Sequence, residues 1–157
     1  MPKVRKILKW LLIVVVGALI GLQFVRPVKT NPAVDQSKTI QTNLQVTPQV
    51  AAILDRSCQD CHGNDTRWPW YSNVSPVSWT VIDHVNEGRK HLNLSEWGSY
   101  DKRRATKKLE QMCDEVKDGA MPIPSYTWIH RSAKLSADDI KTLCDWTAAE
   151  SARLDAQ

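Results

Sequence analysis

The chain has 157 residues, 21 basic and 17 acidic side chains, and a net charge of +4. That length admits one ordinary domain plus an appendage and excludes two sizeable domains. Five basic groups and no acidic ones fall in the first 26 residues, so residues 27–157 carry a net charge of −1 and nucleic acid is not implied as a partner.

The run from Trp10 to Val25 is apolar except for Gln23; Lys3, Arg5, Lys6 and Lys9 precede it and Arg26-Pro27 closes it. A secretory signal peptide would have a shorter apolar stretch and a small-x-small cleavage site. With Ile7 and Leu8 included and Lys9 snorkelling, the run reaches the lower limit for a membrane span, roughly 17 residues. Residues Gly17-Ala18-Leu19-Ile20-Gly21 offer no Ala-x-Ala site, which favours an uncleaved transmembrane helix over residues 1–26. Four basic groups before the span, against Arg26 and Lys29 after it, place the N-terminus in the cytoplasm. The expectation is a single-pass protein of the bacterial inner membrane, with the membrane as partner through this helix and residues 27–157 in the periplasm.

Residues 27–46 read as a linker: Pro27, Pro32, Thr, Asn and Gln without an apolar period. Residues 47–157 read as an all-α domain of four helices with long functional loops. The first helix opens at Thr47-Pro48, where Thr caps and Pro suits the first helical position, and its Val50, Ile53 and Leu54 lead into Cys58. Residues 63–75 form an aromatic loop. Seven tryptophans in a small domain suit the walls around a large flat ligand. Trp68, Trp70, Tyr71 and Trp79 are the candidate wall residues.

A second helix starts at Ser75-Pro76, carries Val77, Val81, Ile82 and Val85, and ends near Asn93. The third runs from about Tyr100 to Asp118, with Leu109, Met112, Cys113 and Val116 on one face and Gly119 as its stop. Gly119, Pro122 and Pro124 make residues 119–135 a loop. The last helix begins at Ser136, with Asp139 as a capping-box partner and Ile140, Leu143, Cys144 and Trp146 as its buried stripe.

Cys58-Gln59-Asp60-Cys61-His62 matches the attachment pattern of c-type haem. Two intervening residues let each thiol reach one of two adjacent vinyl groups, and the next residue, His62, can ligate the iron. The competing readings are a redox dithiol, a zinc site and a plain disulfide. A redox dithiol calls for a βαβ setting, and structural zinc for a second closely spaced pair; neither is present.

Met121, on a stiff loop before the last helix, is the leading candidate for a second iron ligand, with His84, His91 and His130 as rivals. In an oxidising compartment Cys113 and Cys144 most simply form a disulfide, which would tie the third helix to the last. The basic group Lys102, Arg103, Arg104, Lys107 and Lys108 reads as a solvated helix face; docking of an acidic redox partner or pairing with haem propionates are the alternatives.

These residues together resemble a family of bacterial haem-binding-domain proteins related to small monohaem cytochromes c. The resemblance rests on Cys58–Asn73, Pro76–Trp79, Val85–Arg89, His91–Asn93, Ser95–Trp97, Gly119–Pro122 and Leu143–Trp146, and covers about residues 48–150 and the anchor. It implies a small cytochrome c-like helical domain wrapped around one covalent haem c, with His62 proximal and Met121 distal. Trp146 resembles the aromatic residue that the last helix of small cytochromes c packs against the helix before the haem motif. That first helix departs from the pattern, since Val50, Ile53 and Leu54 stand where a glycine and an aromatic residue are usual. The expected function is single-electron transfer between redox proteins. A peroxidase-like enzyme using one of the three rival histidines as acid/base, or a haem-based sensor, is the alternative.

Overall fold

The computed structural model describes residues 2–156, and the regular structure among them is entirely helical. The first helix, α1 (Pro2–Leu22), corrects the reading of the N-terminus. Lys3, Arg5, Lys6 and Lys9 occupy its first turns, and the helix stops before Gln23. Its uninterrupted apolar part, Trp10–Leu22, therefore extends only about 20 Å at ~1.5 Å per residue, against a hydrocarbon core of about 30 Å. No helix among the described residues is long and apolar enough to cross a membrane. The expected transmembrane helix, the membrane as partner through it, and the single-pass inner-membrane placement with a periplasmic domain all fall with that finding.

The segment expected to be a loose linker is instead laid across the domain. Gln23 exchanges hydrogen bonds with the backbone of Ser75, and the Val25 carbonyl accepts from the Ser75 hydroxyl and the Trp79 indole. Further on, Asp35 caps a short 3-10 turn (Gln36–Lys38) that leads into α2 (Ile40–Asn43). Ile40 and Leu44 are buried in the main core. A flexible tether would not bury two aliphatic side chains, so the folded unit begins well before residue 47.

Helix α3 (Pro48–Ser57) starts as the sequence prescribes: the Thr47 hydroxyl accepts from the Val50 amide, and Pro48 sits at the first helical position. Val50, Ile53 and Leu54 fall on one side and are buried. A single helical turn, α4 (Gln59–His62), carries the Cys-x-x-Cys-His motif. Helix α5 (Val77–His91) follows the aromatic loop, and α6 (Lys102–Lys117) begins at the Asp101 cap. Its buried face is Ala105, Leu109, Met112, Cys113 and Val116. Gly119, at φ 70°, ends it in the left-handed conformation that favours glycine.

Residues 119–135 contain a helix that the prolines hide. Pro124 opens α7 (Pro124–Ile129), because a fixed φ and a missing N–H cost nothing at the first helical position. Helix α8 (Ala137–Asp155) begins with the full capping box, Ser136 and Asp139 each bonding the other's backbone. It packs along α6, and a disulfide joins Cys113 to Cys144 across that pair. Trp146 is buried, and its indole donates to the Gln45 carbonyl, fixing α8 to the segment before α3.

Candidate functional site

The motif turn α4 is positioned by α5, and one residue makes the approach possible. A β-carbon at Gly88 would lie 2.7 Å from the Cys61 carbonyl oxygen and 3.2 Å from its carbon, so the two backbones meet where only glycine fits. The same contact orients His62. Its Nδ1 is 2.9 Å from both the Gly88 and the Leu92 carbonyl oxygens, and a ring nitrogen facing two acceptors must carry the proton. Burial holds the imidazole pKa below its ordinary value, partly opposed by these two carbonyls. The ring is therefore neutral near pH 7, with its lone pair on Nε2.

Cys58, Cys61 and His62 line a cavity of about 400 Å³, within the size range of small-molecule sites. Leu92, Met112, Val116, Leu143 and Ile123 supply its apolar wall, and Met121 lies on it as well. His84, Glu87, His91, Lys108, Gln111 and Glu115 add polar groups. The Ser57 hydroxyl, also in this wall, is buried without a hydrogen-bond partner among the described residues.

The two thiols stay protonated. Burial pushes Cys58 up to about 12, with the charge of Cys61 adding to the effect, and pushes Cys61 up to about 11, with Asp60 adding. A redox dithiol depends on the opposite shift, toward thiolate. Among the described residues no cluster of three His, Cys, Asp or Glu side chains could hold a metal ion. Two uncharged sulfurs and one neutral imidazole on a mainly apolar wall suit a large flat group such as haem better than a redox dithiol or a zinc site.

None of the four aromatic residues expected in the wall lines this cavity. Trp68 donates to Asn31 Oδ1 and Trp79 to the Val25 carbonyl, so both indoles pin residues 23–31, a strap between α1 and α2. Trp70 is 77% exposed. Tyr71 lines a second, smaller cavity of about 130 Å³ together with His130, and Cys61 borders both cavities. Arg89 completes the strap's attachment, donating to the carbonyls of Gly63 and Thr30, to Asn31 and to Thr66. Indole N–H groups seek acceptors when half-buried, and here the nearest acceptors belong to the strap.

Of the rival histidines, His84 and His91 share the main cavity with Met121, and His130 does not. The basic face of α6 is largely solvated: Arg104 pairs with Asp101, Lys102 reaches the Asp155 carbonyl, and only Lys108 touches the cavity.

Sequence reasoning missed Tyr126 on α7. This residue lines both cavities, and its hydroxyl donates to Asp60 Oδ2 at 2.7 Å. Burial and the adjacent Asp60 carboxylate raise its pKa, so the phenol remains a donor. The other Asp60 oxygen accepts from Arg67 Nε at 2.8 Å, and Arg67 also binds Asp55. The only sequence signal for this role was Pro124, two positions earlier, which opens the helix carrying it.

Residues 17–149 match the model of a family described as a haem-binding domain. No curated protein and no solved structure matches the chain.

Proposed function

The chain belongs to this haem-binding-domain family, and on that premise we propose that it holds one haem c and passes single electrons between redox proteins. The observation carrying the proposal is that Cys58, Cys61, His62 and Met121 all line one apolar cavity. Cys58 and Cys61 would hold the group covalently, and His62 Nε2 and Met121 Sδ would ligate its iron. The group supplies a one-electron ferric/ferrous couple, which a thioether ligand biases toward the ferrous side. The chain's own contribution is to orient the ligands and to supply an apolar wall. The Gly88 and Leu92 carbonyls fix the His62 ring and its tautomer, and Leu92, Met112, Val116 and Leu143 present an apolar wall to the bound group.

A haem stain after denaturing electrophoresis of protein co-expressed with haem-maturation machinery tests the covalent link; a negative stain refutes it. Absorption spectra of the wild type beside Met121→Ala test the ligation. The expected result is low-spin iron with a methionine–iron charge-transfer band that the variant loses. A second reading, a redox enzyme or gas sensor with a displaceable distal ligand, is favoured by His84 in the same cavity and by the 36% exposure of Met121. High-spin wild-type iron that binds peroxide or carbon monoxide directly would select it.

A further inference from the structure

Helix α7 buries no side chain, yet it follows the loop that carries Met121. That loop is fixed at its start, where the Ala120 and Met121 amides both donate to the Glu115 carbonyl. Beyond that point two side-chain contacts secure α7. Near its middle, the Tyr126 hydroxyl donates to Asp60, 66 residues away and immediately before Cys61. Beyond its C-terminal end, His130 Nε2 and the Tyr71 hydroxyl are 2.7 Å apart, and the His130 ring stacks on Tyr126 with centroids separated by 4.4 Å.

Resting on the His62/Met121 ligation proposed above, we infer that the Tyr126–Asp60 hydrogen bond is the strut that holds the Met121 loop over the cavity. Tyr126 is thus a positioning residue for the methionine ligand. The acceptor is itself immobilised, since Arg67 grips the other oxygen of Asp60 and anchors to Asp55 on α3. One hydrogen bond therefore connects the peptide that carries the proximal histidine to the segment that presents the distal sulfur. The other contact, His130 to Tyr71, lies beyond the far end of α7, so loss of the Tyr126 bond loosens the end nearer Met121 and the methionine-off population rises.

The test uses the full chain with haem attached. Tyr126→Phe keeps the ring and its stacking on His130 and removes only the donor. Imidazole, which binds ferric iron only when methionine leaves, is titrated against each protein. The apparent imidazole affinity of Tyr126→Phe should rise about tenfold, equivalent to about 1.4 kcal/mol. Its methionine–iron band should weaken in parallel. Asp60→Ala should give the same rise from the other partner, and the double variant should rise no further. An affinity within about twofold of wild type, the usual margin of additivity, would overturn the inference even if thermal stability fell. So would full additivity of the two substitutions. A wild type lacking the methionine–iron band refutes the ligation itself, which is a separate outcome.

Discussion

Gly88→Ala places a methyl group in the contact that sets the proximal geometry. In an open helix interior this substitution stabilises by about 1 kcal/mol, because alanine has less backbone freedom to lose. At position 88 the new carbon meets the Cys61 carbonyl oxygen at 2.7 Å, and backbone cannot rotate away as a side chain can. Overpacking of this kind costs about 1–3 kcal/mol. Moving α5 outward to relieve it also lengthens both His62 hydrogen bonds, a further loss of about 1 kcal/mol. The propensity gain offsets roughly a third of this, leaving a net destabilisation of about 2 kcal/mol. Urea unfolding of the full chain measures it as a lower midpoint with unchanged slope. An unchanged or raised midpoint would refute the close-approach argument, because alanine would then be acting as it does in an open helix.

Three other outcomes follow from the same structure. Gly119→Ala, where no atom crowds the added carbon but φ is 70°, should cost about 1 kcal/mol from backbone strain alone, read as a fall in thermal midpoint. Reduction of the Cys113–Cys144 disulfide, which closes a loop across 31 positions, should cost about 3–4 kcal/mol by the chain-entropy estimate, measured by unfolding with and without reductant. The Asp139 carboxyl is held below its ordinary pKa, chiefly by the Ser136 backbone amide and also by the Ser136 hydroxyl and Arg56. A depressed folded-state pKa contributes stability above the unfolded value near 3.8 and loses it as pH falls through the folded value. Asp139→Asn should therefore destabilise at pH 7 and have little effect in strong acid, compared by unfolding at the two pH values.

The sequence by itself determined what depends on near neighbours. Thr47 with Pro48, Ser136 with Asp139, and Gly119 mark helix ends because caps and stops act within one turn. The buried faces of α3, α6 and α8 follow from 3.6-residue periodicity. The spacing of Cys58, Cys61 and His62 is likewise local, so the centre of the candidate site was legible. A hydropathy run counts apolar residues wherever the helix begins or ends, which is why α1 was read as long enough to span a bilayer. Composition offered the tryptophans as cavity walls, but where an indole points depends on which acceptor the fold brings near. For Trp68 and Trp79 that acceptor lies in the strap, 37 and 54 residues earlier in the chain.

The tertiary structure alone decided how the motif is held. His62 finds its two carbonyl acceptors 26 and 30 residues downstream, Gly88 admits the Cys61 backbone, and Asp60 receives Tyr126 from a helix the prolines concealed. Residue identities specify which groups can donate, accept or pack. Which of them meet is set by how helices distant in sequence bury their apolar faces together, and a linear reading has no access to that.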